Sequence, residues 1–371
     1  MDKAFQNQTN VSLHSDFVDQ NDESVESKIA KAVAFGIVFL VAVLGNFLVI
    51  VAVIQNQRIH TVINYLIVNM AIADLLYIIM VMPPMYIEIF NYYDWAMGTY
   101  ARGVYFCKVV HFCHYLFVVV SVLTLAAIAV DRFCAIVLPL KRIVTKQVFY
   151  VIIPVIWLVA SGMAAPVFYA QKIIENSKGF LSCEEDWSPA FETRKASRVY
   201  SAMLFAIAYC VPFLAITIMY TMICRKLWMR KIPGERDAKS RKGIVESRKK
   251  VVKMLIAVVI AFVVCWLPVQ VTTFMWEYKE HSLSIPPFVY FTCKFLMRAH
   301  ASVSPCMYAA FNENYRTGFK KALTCCRKSK RDNYTNSRIH LHRKESGSET
   351  GGRRGTVVYF ASRKYNHPYL V

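Results

Sequence analysis

Asp131 and Arg132 stand side by side near the end of residues 107–139, a run that is otherwise almost wholly apolar. An acid beside a base in such a setting has two states: closed on itself, or parted to meet something else. Such a pair is either an inner switch or simply a structural ion pair. The run is long enough to carry a signal. Cys107 and Arg132 are 25 residues apart, about 37 Å as a helix, which exceeds the roughly 30 Å hydrocarbon core of a bilayer. His114, Ser121 and Arg132 are spaced by 7 and 18 residues, close to two and five turns, and so share one face.

Other residues in apolar runs carry chemistry too. Asp74 lies about 12 residues into the run 62–89, near mid-bilayer, where an ionisable group is costly. It is either a functional site, with Asn46 and Ser121 as polar companions, or an acid held structurally by its neighbours. Lys294 and Arg298 are four apart and share a helix face, and His111 and His114 share the start of the long run. Two intramembrane cations need partners. An anionic ligand group would serve, and so would internal pairing with Glu88 or Glu277. Both readings stay open at this point. Tyr115 and Gln270 complete the candidate ligand pocket. No metal-ligand cluster, Gly-x-Ser-x-Gly or P-loop occurs, so neither enzyme nor cofactor chemistry is indicated.

The elements that position these residues are seven charge-poor apolar runs, at 29–54, 62–89, 104–137, 148–170, 199–227, 251–276 and 288–310. Lipid offers the backbone no hydrogen-bonding partners, so each is a helix. Long continuous runs exclude the short alternating strands of a membrane β-barrel. Seven is odd, so the termini lie on opposite sides. The net charge of +20 is concentrated in 225–253 and in the tail. The positive-inside rule then places the C-terminus in the cytosol and the N-terminus outside. This basic excess flanks membrane spans, which argues for attraction to anionic lipid and against nucleic acid. The domains expected are an extracellular N-terminus (1–28), the bundle (29–310), an amphipathic juxtamembrane eighth helix (311–324) and a disordered cytoplasmic tail (325–371). The fold class is an all-α membrane protein.

Smaller signals fit this topology. Asn7 and Asn10 begin acceptor sequons on the outer side. Cys107 and Cys183 are the cysteines available on the oxidising side, and a disulfide between them is expected. Cys325 and Cys326 follow the amphipathic stretch in a basic context, which suggests palmitoylation, although free thiols fit as well. Pro83 and Pro84 should bend the second span. Tyr369-Leu370-Val371 has the form of a weak PDZ ligand ending at Val371.

Taken together, Gly45-Asn46, Leu66 to Asp74, Trp95, Cys107 with Cys183, Asp131-Arg132-Phe133, Trp157, Pro212 with Tyr220, Cys265-Trp266-Leu267-Pro268, and Pro305 with Tyr308 resemble the rhodopsin-like (class A) G-protein-coupled receptors. The likeness covers about 29–325 and is closest to neuropeptide receptors of the somatostatin, galanin and allatostatin type. It implies that Arg132, held by Asp131 at rest, is released on activation to meet a heterotrimeric G protein. Tyr220 and Tyr308 then turn inward, Trp266 forms the pocket floor, and Pro212, Pro268 and Pro305 serve as bends as the sixth helix moves outward. It also implies arrestin as a partner of a tail phosphorylated at Ser346, Ser348, Thr350, Thr356 or Ser362.

The departures are informative. Ser304, His300 and Ala301 stand where the family usually has Asn, Asn and Ser, so the shell that holds sodium beside Asp74 is depleted and strong sodium regulation is not expected. Arg248 stands where some members carry an acid that locks the switch arginine. His114 occupies the place of the aspartate that amine receptors need, which disfavours amine ligands. A short peptide is the ligand expected, with a lipid or small carboxylate as the alternative. A transporter or channel is more distant, since no internal repeat is present.

Overall fold

The structure is a computed structural model that describes residues 23–55, 61–90, 98–138, 146–175, 181–229, 238–278, 285–313, 315–322 and 324. Asn7, Asn10, Trp95, Cys325, Cys326, the tail phosphorylation sites and Val371 lie outside the described residues. The chain forms one compact unit over Met1–Ala322 and a second over Leu323–Val371, of which only Thr324 is described.

Seven long helices follow one another among the described residues: α1 (Val25–Gln55), α2 (Val62–Phe90), α3 (Tyr100–Val137), α4 (Lys146–Ala170), α5 (Thr193–Trp228), α6 (Ala238–Tyr278) and α7 (Pro287–Phe311). Six are long and apolar enough to cross a membrane. The remaining one, α7, is diluted by Lys294, Arg298 and His300. The first helix shows how such a chain sorts its faces. Ile29, Val33, Ile37, Leu40, Leu44 and Phe47 recur every three or four residues and are all exposed. Phe35, Val38, Ala42, Asn46 and Val49 recur at the same period and are buried. In a membrane both faces are apolar, and the inner one is distinguished by its small and polar residues.

Those small and polar residues tie the bundle together. Asn46 donates to the carbonyls of Ala42 and Ala301, at 2.9 and 2.8 Å, joining α1 to α7. A Cβ at Gly45 would fall 2.7 Å from the Pro305 ring, so glycine lets α1 close on the α7 bend. Asn69 donates to Thr124 Oγ1 at 2.9 Å and accepts from Trp157 Nε1 at 3.0 Å, clamping α2, α3 and α4. Residues 315–322 form a further helix, α8. There Gly318 meets Ala52 of α1, and Tyr315 donates to Asn64 of α2 at 2.8 Å.

Prolines mark the irregularities. Within α2 the α-helical hydrogen-bonding pattern breaks between Val81 and Pro84, at the Pro83-Pro84 pair the sequence singles out. In α5 the turn Phe205–Cys210 is π-helical and leads directly to buried Pro212. A wider turn absorbs the amide that proline lacks. A second π-helical turn, at Val104–Val109, has no counterpart in the apolar patterning. Nor did the all-α expectation include the antiparallel hairpin β1 (Gln171–Glu175) and β2 (Leu181–Glu185). Its β-branched Ile173 and Ile174 suit a strand. Ile173 pairs with Cys183, and Cys183 is disulfide-bonded to Cys107 at the start of α3, Cα to Cα 5.4 Å.

Candidate functional site

Three polar sites lie along the bundle interior, separated by aromatic and aliphatic packing. At one end, Arg132 donates to Asp131 Oδ2 through Nε at 2.9 Å and through Nη2 at 2.5 Å. Asp131 is buried and the Arg132 side chain is a quarter exposed. Tyr220 on α5 is buried close enough to feel both charges. Tyr308 on α7 is buried, stacks on Tyr315 at 5.4 Å, and has no hydrogen-bond partner for its hydroxyl among the described residues. Among the described residues, the ion-pair partner found for Arg132 is Asp131. Arg248 on α6 is exposed and adds no acid there.

At the middle, Asp74 accepts from Ser121 Oγ at 3.2 Å and faces His300 Nε2 at 4.0 Å. His300 Nδ1 lies 2.5 Å from the Met297 carbonyl. A carbonyl only accepts, so Nδ1 carries a hydrogen and Nε2 is the nitrogen turned to Asp74. The histidine that replaces the family's usual asparagine therefore takes up the space beside the acid.

Above this lies a collar of four rings from four helices. Tyr77 (α2) is 5.6 Å from His114 (α3), His114 is 5.8 Å from Trp266 (α6), Trp266 is 5.4 Å from His300 (α7), and His300 is 4.9 Å from Tyr77. Trp266 also stacks on Phe262, which continues to Phe213 and Tyr209 of α5 at 5.6 and 4.9 Å. Movement of a ring on the pocket side would be felt on α5, α6 and α7 together.

On the Cys107 side of the collar, Lys294 is ion-paired with Glu88 of α2. Its ammonium also lies 4.3 Å from the centroid of Tyr290, and Tyr290 donates to Glu88 at 3.4 Å. One turn deeper, buried Arg298 donates from Nη1 to the Lys294 carbonyl at 3.4 Å, while its Nε has no partner among the described residues. The charges of Lys294 and Arg298 reach both His111 and His114. Across the bundle the sign reverses: Glu185 and Glu277 lie near Tyr115. Glu277 accepts from Ser197 Oγ at 3.0 Å, and Glu185 accepts from Trp187 Nε1 at 2.7 Å. Gln270 is half-buried on α6, one turn past Trp266.

The family model for the seven-transmembrane receptors of the rhodopsin family matches residues 45–308. The chain belongs to that family. It is 30% identical to the substance-P receptor of Aquarana catesbeiana, over 80% of this chain and 70% of that protein. It is 32% identical to neuropeptide FF receptor 2 of Mus musculus, over 79% and 72%. It is 29% identical to the RYamide receptor of Tribolium castaneum, over 90% and 94%. The receptor is thus a multi-pass plasma-membrane protein in a family of signalling receptors.

The receptor's geometry closes one of the alternatives left open by sequence. Lys294 pairs internally, and with Glu88, whereas Glu277 belongs to the α5 side. Arg298 has no carboxylate partner among the described residues. Only the tertiary fold brings Glu185 and Glu277 together as an acidic wall beside Tyr115. The signal available was the acidic cluster 184–186 in the segment that also holds Cys183, and that cluster supplies Glu185.

Asp186, just beyond the hairpin, anchors the loop over the receptor's Cys107 end. It accepts from Lys172 Nζ at 2.7 Å, the Ser188 amide at 2.9 Å, and the hydroxyls of Ser188 and Thr193 at 2.8 Å each. Partial burial pushes its carboxyl up. Lys172 and the other donors outweigh this and hold it well below the ordinary value of 3.8. A depressed native value means the stabilisation is present above 3.8 and is lost as pH falls below it. Asp186→Asn should therefore lower the unfolding temperature of the purified receptor. The gap to wild type should stay constant between about pH 7 and 5. A gap that closes within that interval would contradict the assignment.

Proposed function

We propose that this receptor is activated by a peptide, received at the Cys107 end, and that it passes the signal to a heterotrimeric G protein at the Arg132 end. The observation that carries the reading is the conjunction of a ring path from His114 through Trp266 to α5, α6 and α7 with a closed Asp131–Arg132 pair at the other end of α3. Relatives named as substance-P, neuropeptide FF and RYamide receptors support peptide as the ligand class. An agonist acts by preferring the form in which α6 swings outward about Pro268, and it shifts the population only as far as that preference extends. His111, His114, Tyr115, Gln270, Lys294 and Arg298 form the ligand pocket, with Trp266 as its floor. Pro212 and Pro305 weaken α5 and α7 where they must adjust.

The remaining roles follow from the same orientation, with the N-terminus outside and the C-terminus cytosolic. Asn7 and Asn10 carry glycans, Cys325 and Cys326 carry palmitoyl chains, the phosphorylated tail meets arrestin, and Val371 ends a PDZ ligand. Beside Asp74, His300 stands in for the sodium shell. Exchanging sodium for N-methylglucamine should therefore leave agonist affinity unchanged, and a several-fold shift would refute this.

The deciding experiment is G-protein dissociation in cells expressing the receptor, challenged with a library of short neuropeptides alongside lipids and small carboxylates. A peptide response supports the reading. A response confined to lipids or carboxylates overturns the ligand class and keeps the receptor. Silence toward the whole library leaves G-protein coupling without support.

A further inference from the structure

Three buried side chains on three different helices leave a polar atom without a partner among the described residues: Tyr77 Oη on α2, Trp266 Nε1 on α6 and Arg298 Nε on α7. Tyr77 and Trp266 make ring contacts with His114 at 5.6 and 5.8 Å, and the Arg298 charge reaches both His114 and Tyr77. Orphaned buried polar atoms are rare and ask for an explanation. Here their chemistry is one-sided. An indole N–H and a guanidinium N–H only donate, and a phenol can donate. The set is three donors on three helices, each lacking an acceptor among the described residues.

Charge decides which acceptor. Four residues away, Lys294 is already neutralised by Glu88 and steadied by Tyr290. The deeper acid, Asp74, is engaged by Ser121 and faced by His300 on the far side of the collar. Glu185 and Glu277 lie toward Tyr115 and have donors of their own. Among the described residues, Arg298 is left as one buried positive charge with only a 3.4 Å bond to a carbonyl. A buried charge without a counter-charge is unfavourable. One negative charge would balance it. A neutral carboxamide would not, and a phosphate dianion would overshoot.

We infer that Arg298, with Trp266 Nε1 and Tyr77 Oη, forms a subsite for a single carboxylate attached to an aromatic or apolar body, and that the Glu88–Lys294 pair positions this subsite without contacting the carboxylate. This rests on the ligand-pocket reading above and narrows it. The pair of cations acts as one cation and one tether. The rings of Tyr77, His114 and Trp266 provide the surface for the apolar body. The carboxylate belongs either to the terminus or side chain of a peptide, or to a small fatty acid.

The test needs no known agonist. Purified full-length receptor in nanodiscs is heated with N-acetylphenylalanine, its carboxamide, or hexanoate at millimolar concentration. Stabilisation follows occupancy, so a tenfold excess over Kd should raise the unfolding temperature by about 1–3 °C. The acid is expected to stabilise, and the amide is expected not to. Arg298→Gln should weaken the acid by roughly 10–100-fold, the range for charge-assisted hydrogen bonds. Arg298→Lys keeps the charge without the fork and should lose less. It also serves as the control if Arg298→Gln folds poorly. A shift with N-acetylphenylalanine and not hexanoate identifies a peptide-like source, and the reverse identifies a fatty acid. Equal shifts by acid and amide overturn the charge argument, and no shift with any probe overturns the subsite. Neither result touches the receptor reading, which stands or falls on G-protein dissociation.

Discussion

Arg132→Ala is expected to bring agonist-driven G-protein dissociation down to the level of untransfected cells, with surface expression retained. Asp131→Asn is expected to do the opposite and raise the ligand-free signal. Both follow from one pair of hydrogen bonds. Nε and Nη2 of Arg132 converge on a single oxygen of Asp131, so the acid holds the base by charge as well as by geometry. Asparagine keeps the shape and removes the charge. Charge-assisted bonds are about twice as strong as neutral ones, so the loss is on the order of 1–2 kcal/mol. That shifts a two-state population by roughly 5–30-fold. Alanine at 132 removes the group proposed to meet the G protein and leaves a buried carboxylate behind. Arg248 offers no second acid to hold Arg132, so the ligand-free signal of the wild type should itself exceed background. An Asp131→Asn receptor as quiet as the wild type would sink the switch argument, as would an Arg132→Ala receptor that still signals.

Much of this was legible because membrane folding is simple at the level of whole elements. An apolar run of sufficient length has to be a helix, and seven such runs can be counted without knowing any contact. Asp131 and Arg132 are neighbours in sequence, so their pairing needed no tertiary information. Cys107 and Cys183 were the cysteines left on the oxidising side, and the structure joins them. What sequence could not supply was the set of pairings made across helices. Lys294 had two candidate acids at similar depth, and only the rotation of α2 against α7 selects Glu88. His300 could be recognised as a departure, but its nearness to both Asp74 and Trp266 depends on how three helices meet. The π-helical turns cost the chain little and leave no periodic signature. The hairpin was missed because its two strands are five residues each, too short to stand out beside spans four times longer.

The Glu88–Lys294 pair gives the largest expected effect on stability. Each side chain is 16% exposed, and each is held by more than the other: Tyr290 donates to Glu88, and its ring lies under the Lys294 ammonium. Removing one partner strands the other in an environment that solvates it poorly, at a cost of about 3–5 kcal/mol for a buried pair. The residual exposure argues for the lower end. Glu88→Gln and Lys294→Met should each lower the unfolding temperature of the purified receptor by roughly 3–6 °C, on the scale of about 1–2 °C per kcal/mol for a chain of this length. The double variant should recover most of the loss, since it leaves no unpaired charge. Of the two, Glu88→Gln is the more revealing. It leaves two cations, Lys294 and Arg298, four residues apart with no acid between them, and it should increase the affinity of the pocket for N-acetylphenylalanine while destabilising the empty receptor. Lys294→Met leaves Glu88 to oppose Arg298 and should weaken that affinity. Single variants that unfold with the wild type would mean that the pair is not formed in the membrane. A double variant no more stable than the worse single would mean that packing, rather than charge, holds α2 to α7.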